Sequence, residues 1–437
     1  MSLKSILFGR EKSLTDRNLF HSLSLIAVFA WVGLGADGLS SSCYGPEETF
    51  KALGGSTHLS LFVALASVIT IVAICASYSQ IISLFPTGGG GYLVASKLLS
   101  PATGVVSGCA LLIDYVLTVT ISVASGSDAL FSLLPEGAQA YKLAFGVAGV
   151  VGLTLINLRG VKESVLIWVP IFTVFVLTHI FVIAYAMISH SSGLSGIATA
   201  TSHEVHMVSA TVGWFGLMAL LLKAYSMGAG TYTGIEAVSN GLPILREPRV
   251  RTGRRTMVYM GVSLALTVAG LLVAYQLYDV QISPDKTLNA VLFEQMAAGW
   301  NHSVGAQTGF LDGPRVLANM ALDRWFPAQF ANLSERLVTR NGVLLMGLSA
   351  FVMMWATRGS VDLLVIFYSI NVFITFSLSQ AGMVRHWWQE RAEDKQWVRK
   401  LAINGFGLVL TTSILVSLTI VKFNEGGWAT LLVTGVL

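Results

Sequence analysis

The sequence predicts an all-α membrane protein that crosses the bilayer many times, and three observations carry that prediction. Only 11% of its 437 residues are charged and 54% are hydrophobic, whereas a soluble domain is roughly 25% charged. The apolar residues gather in runs near the ~20 residues that a spanning helix needs. The Lys and Arg residues crowd alternate linkers between those runs. Too few charges are available to cover a globular surface, which excludes a soluble, disordered or fibrous chain. At this length roughly ten to twelve spans fit.

In chain order the runs fall at 20–52 (interrupted), 59–85, 104–134, 143–158, 164–189, 211–240 (interrupted), 256–278, 343–357, 361–384 and 401–421, with a last one from Trp428. Four cations, Lys4, Arg10, Lys12 and Arg17, precede the first run, and no small-residue cleavage site follows them, so no removable leader is expected. Arg246, Arg249, Arg251, Arg254 and Arg255 share one linker. Arg315, Arg324, Arg336 and Arg340 share a second, and Arg385, Arg391, Lys395, Arg399 and Lys400 a third. The gaps between these hold single cations: Lys51, Lys142, Lys286, Arg358 and Lys422. The positive-inside rule then sets the N-terminus in the cytoplasm. The formal net charge of +4 belongs to this asymmetry and not to nucleic-acid binding. Cys43, Cys75 and Cys109 lie in or beside apolar stretches without metal-ligand spacing and read as packing residues.

The alternation exposes a gap. The stretch after Tyr278 reads as external and the stretch from Arg315 as internal, yet 289–314 contains no apolar run long enough to cross. An eighth span is therefore expected to be absent or truncated near 302–305.

Two interrupted runs carry the functional signal. In the first, Gly33, Gly35, Gly38 and Gly45 surround Asp37, a serine triplet and Tyr44, with Pro46 following. In the second, Gly228, Gly230 and Gly234 bracket Thr231, Tyr232 and Thr233, with Glu236 just beyond. Glycine lowers the cost of leaving helical dihedrals. Paired breaks in the first and sixth spans mark a transporter built from inverted five-span repeats. The competing reading, glycine for close helix packing, leaves the acids unexplained. A carboxylate at that depth costs about 2.5–3.5 kcal/mol and is functional by default. The third span adds Asp114, Thr118 and Ser122 at four-residue spacing, one helical face, with Tyr115 adjacent. Oxygen-only side chains suit a hard cation, and no His/Cys cluster suggests a transition metal. The expected organisation is residues 1–189 as the first repeat (broken near 37–45), 190–384 as the second (broken near 228–236) and 385–437 as span 11 and the start of span 12.

Weaker signals have plainer readings. The run PTGGGGYLVASK (86–97) lacks the ending of a phosphate loop and reads as a tight cytoplasmic linker. His179 reads equally as a core histidine or a proton relay. His190, His203 and His206 fall in a stretch expected to be an external loop.

The segments ADGLSSSCYG (36–45), QIISLFPTGGGGYLVAS (80–96), DYVLTVTISVASGSDA (114–129), NLRGVKES (157–164), LLKAYSMGAGTYTGIEAVSN (221–240) and FYSINVFITFSLSQAGM (367–383) resemble those of the APC superfamily of transporters with the LeuT-type fold. Within it they are most similar to the KimA group of bacterial potassium–proton symporters, related to the KUP transporters. The resemblance spans nearly the whole chain. It implies two inverted five-helix repeats plus two C-terminal helices in a bacterial inner membrane. It implies potassium held by Asp37, Tyr44, Ser122 and Thr233, with Asp114, Tyr115, Thr118, Glu236 and Tyr368 completing the site. Potassium and protons are then the partners, surrounded by membrane lipid, with no organic cofactor. The family's cytoplasmic C-terminal domain, which binds cyclic di-AMP and supports a homodimer, has no match among these residues. Glu236 is the first candidate for proton coupling and Asp114 the second, since Asp37 has to stay ionised to hold a cation.

The main alternative is a proton-coupled amino-acid permease of the same superfamily. In that case glycine amides at the first break would receive a substrate carboxylate, which an ionised Asp37 would repel. Nothing suggests an enzyme: no nucleophile–base pair or metal-binding signature is present.

Overall fold

The computed structural model describes residues 24–131, 134, 136–158, 161–283, 286–296 and 340–436. It describes the Asp37 backbone but not its side chain. The expected gap near 302–305 lies outside the described residues.

The described chain is nearly all helical. The first four helices are α1 (Ala27–Leu53), α2 (Ser60–Leu84), the short α3 (Gly90–Val94) and α4 (Pro101–Phe131). They are followed by α5 (Lys142–Asn157), α6 (Val161–Ser189), α7 (Leu194–Met227) and the single turn α8 (Ala237–Asn240). Next come α9 (Arg249–Leu277), α10 (Leu288–Met296), α11 (Arg340–Ala356), α12 (Val361–Gln389), α13 (Trp397–Lys422) and α14 (Trp428–Val436). Local sequence sets several starts. Extended Ser100 precedes α4, accepts a hydrogen bond from the Thr103 amide at 3.2 Å and is followed by a proline suited to the first helical turn. Ser360 caps α12 by accepting from the Leu363 amide, as serine at this position does.

Eight helical stretches among the described residues are long and apolar enough to cross a membrane. Helix α1, which carries Asp37, Glu47, Glu48 and Lys51, is not one of them. Large apolar side chains remain exposed along the spans, including Val174, Ile180, Leu266 and Ile420. In a bilayer that face meets lipid. Helix α12 forms the spine of the bundle, packing on α4 and α13, while α9 packs on α1 and α2.

Two corrections to the sequence reading emerge. The expected interruption at 37–45 is absent: α1 is continuous from Ala27 to Leu53 with Pro46 inside it. Gly38 and Gly45 serve close approach instead. A Cβ on Gly45 would lie 1.9 Å from Thr231 Oγ1, and one on Gly38 3.3 Å from the Thr233 carbonyl. The stretch after Ser189 is not a loop. It is the outer arm of α7, and Gly213, at φ 74°, ψ 171°, divides this arm from the inner one. The outer arm is seated by buried Ile197 and Thr201. Thr201 donates to the His58 carbonyl, and Glu204 accepts from the Leu59 amide at 3.0 Å. His203 and His206 are exposed.

Main-chain pairing is confined, among the described residues, to isolated bridges. One joins Leu25, just before α1, to Leu245, just after α8. The Leu25 amide donates to the Ile244 carbonyl and the Arg246 amide to the Leu25 carbonyl, both at 2.8 Å.

Candidate functional site

Helix α7 stops at Met227 because the next residues cannot continue it. Gly228–Tyr232 tightens to a 3-10 turn, Thr233 is extended (φ −70°, ψ 159°) and Gly234 has φ 78°, a conformation that glycine adopts without strain. Helical geometry resumes at Ala237. This unwound segment is wholly buried and packs along α1. Irregular backbone at membrane depth occurs only where protein or a cavity surrounds it.

Four hydroxyl groups meet where α1, the unwound segment and α12 converge. Tyr44 donates to Ser41 Oγ at 2.9 Å, and Ser41 Oγ lies 3.2 Å from Thr233 Oγ1 and 3.5 Å from Tyr368 Oη. Thr233 also donates to the Gly230 carbonyl at 2.8 Å. All four residues are at most 4% exposed. Gly230 lies against both tyrosine rings: a Cβ there would be 3.2 Å from Tyr44 and 3.7 Å from Tyr368. The cluster presents oxygen alone. Thr233, Tyr44 and Tyr368 are thus brought together. Ser41 is an addition that the sequence reading passed over inside its serine triplet. The available signal was helix phase, since Ser41 precedes Tyr44 by three residues and shares its face. The Asp37 side chain lies outside the described positions.

A second polar group lies along α4. Asp114, Tyr115, Thr118 and Ser122 are all buried on that helix, and Thr118 Oγ1 has no hydrogen-bond partner. Asn240, at the end of α8, donates its amide to Tyr115 Oη at 2.5 Å, tying α4 to the far side of the break. Glu236 is 1% exposed, and neither carboxylate oxygen has a hydrogen-bond partner. Its own amide and that of Gly234 approach it without hydrogen-bond geometry. Tyr78 of α2 is also buried, its hydroxyl 3.5 Å from Ser379 Oγ. A buried carboxylate that no side chain hydrogen-bonds gains from taking up a cation or a proton.

The glycine-rich linker is part of this inner region. A Cβ on Gly90 would lie 2.1 Å from Asn240 Oδ1, and one on Gly91 2.6 Å from Ser379 Oγ. His179 is seated in the core, its Nδ1 2.9 Å from the Phe175 carbonyl and its ring 4.1 Å from that of Phe175. Among the described residues no three of His, Cys, Asp and Glu gather as a metal site would require.

A buried polar site at an unwound segment inside an apolar helical bundle defines a membrane transporter. The chain belongs to the amino acid permease family, whose profile matches residues 23–437, and so to the APC superfamily. It is 31% identical over 407 residues to the potassium transporter KimA of Bacillus subtilis, covering 90% of this chain and 66% of that protein. The chain therefore spans slightly under two thirds of that relative's length. A shorter similarity, 30% over 118 residues and 26% of this chain, links it to the low-affinity putrescine importer PlaP of Escherichia coli K12, of which it covers 25%. In three dimensions it is similar to a manganese transporter of Eremococcus coleocola. The TM-score is 0.51 and the identity 14%, over 99% of this chain and 95% of that one, a likeness of fold alone.

Proposed function

We propose that the protein imports potassium together with protons, by alternating access, across a bacterial inner membrane with its N-terminus in the cytoplasm. The observation that carries this is the buried hydroxyl cluster of Ser41, Tyr44, Thr233 and Tyr368. A cation that leaves water needs its hydration shell replaced by oxygen. Hydroxyls from three separate elements supply it, and Asp37 on the same helix supplies compensating charge. The similarity to a potassium transporter over most of the chain supports the same cargo.

In this reading Ser122 completes the potassium site, and Asp114, Tyr115 and Thr118 line the route beyond it. Glu236 takes and releases the proton: it is buried and no side chain hydrogen-bonds its carboxylate, so it changes protonation without breaking a side-chain pair. The unwound segment lets the Thr233 hydroxyl move relative to α1 without disrupting a continuous helix.

The family name favours one competing cargo, an amino acid. Uptake of rubidium and of labelled amino acids into proteoliposomes, with and without an imposed pH gradient, separates the two. Rubidium accumulation driven by an inward proton gradient is the expected result. Amino-acid accumulation with no rubidium uptake would overturn the proposal.

A further inference from the structure

Helix α9 carries two surface features that share residues. Near its start, Arg251, Arg254 and Arg255 line a cavity of about 500 Å³ together with Val258 and Tyr259. Arg254 is steadied from α2, donating to the Ser79 carbonyl and the Ser83 hydroxyl. Among the described residues none of the three guanidinium groups is paired with a carboxylate. Farther along, a groove of about 920 Å³ opens between α1, α6 and α9, again including Val258 and Tyr259.

The groove's lining is almost entirely apolar. Val258, Val262 and Leu266 of α9 are 59%, 55% and 65% exposed, and Ile180 of α6 faces them at 59%. Arg251, Arg255, Val258, Val262 and Leu266 follow one another at spacings of three or four residues, so they form one face of the helix. From Arg255 to Leu266 the helix rises about 16 Å, close to half the ~30 Å thickness of the hydrocarbon core. The positive-inside rule sets the arginines at the cytoplasmic surface. Tyr259 lies between the two regions, edge-on to Trp31 with ring centroids 6.2 Å apart, and the Trp31 indole donates to Ser263 Oγ at 3.2 Å.

We propose that this face is a binding site for one anionic phospholipid of the inner leaflet. Its headgroup phosphate sits on the Arg251–Arg255 cluster and one acyl chain lies along the groove between α1, α6 and α9. Guanidinium groups bind phosphate oxygens bidentately. A groove exposed to hydrocarbon loses dispersion contacts unless a chain fills it. Three positive charges favour a headgroup of net negative charge over a zwitterionic one. Because α1 forms one wall, the lipid contacts the same helix that carries Ser41 and Tyr44.

The test uses the full chain purified in mild detergent, with retention of phosphatidylglycerol and phosphatidylcholine compared by native mass spectrometry. Phosphatidylglycerol should be retained at least tenfold more tightly. The triple variant Arg251→Gln/Arg254→Gln/Arg255→Gln should lose on the order of a hundredfold, at roughly a kilocalorie per basic residue near an anionic headgroup. Val262→Trp, which fills the groove and leaves the arginines in place, should also weaken retention, and it carries the test if the triple variant does not fold. Free glycerol phosphate should not compete at matched concentration. Equal retention of the two lipids, unchanged retention in a folded variant, or full competition by glycerol phosphate would each overturn the proposal.

Discussion

Ser41 is the junction of the site. Its hydroxyl touches those of Tyr44, Thr233 and Tyr368, so Ser41→Ala removes one oxygen and one contact from each of three other hydroxyls. Each hydrogen bond lost costs about 0.5–1.5 kcal/mol net. The variant should raise the rubidium concentration for half-maximal uptake roughly tenfold or more while expressing normally, and an unchanged value would assign Ser41 to packing. Glu236→Gln makes a sharper test. The amide keeps the side chain's shape and cannot change charge, so rubidium binding should remain measurable while uptake stops responding to a pH gradient. Persistence of that response would move the coupling role to Asp114. At this scale the sequence is informative about residue type and weak about direction. Tyr44, Thr233 and Tyr368 stand out beside glycines or through the family resemblance. Ser41 is hidden in a triplet because its identity says nothing about which hydroxyl faces inward until the helix has a phase.

At the level of elements, the two glycine-rich spans read alike in sequence and behave differently in structure. Gly228–Gly234 unwinds; α1 does not. The difference is backbone conformation: Gly234 sits at φ 78°, whereas α1 holds no glycine at positive φ. In α1, Gly38 and Gly45 are contact points that let the helix lie against the unwound segment, and Gly228 reciprocates, since a Cβ there would meet Thr49 Oγ1 at 2.1 Å. Gly45→Ala should therefore destabilise by about 1–3 kcal/mol, as overpacking does, and lower the melting temperature. Thr231→Ala in the same chain should restore part of that loss, because it removes the first atom met. Additive losses in the pair would refute direct contact. The outer arm of α7 was illegible for another reason. Its polar composition suggests a loop, whereas Ile197, Thr201, Val205 and Val208 recur at helical spacing and are the positions that turn inward.

Over the whole molecule, fold class follows from composition and run length because a bilayer permits few architectures. The cation pattern predicts helix direction, and that prediction is a checkable topology. With the native cysteines replaced, a cysteine at Ser192 should react with an impermeant maleimide on intact cells. One at Lys395 should react only after permeabilisation; both positions are exposed. The reverse pattern would invert the assignment. What composition does not disclose is how distant segments are sewn together, and the Leu25–Leu245 bridge is the clearest case. Any parting of the start of α1 from the turn after α8 has to break two main-chain hydrogen bonds, together worth about 1–3 kcal/mol. That is a few times thermal energy, to which the burial of Leu25 and Leu245, 1% and 0% exposed, adds about 1.5–3 kcal/mol for each side chain uncovered. Since backbone atoms alone form the two bonds, truncating either leucine leaves the stitches in place and loosens only the apolar fabric around them.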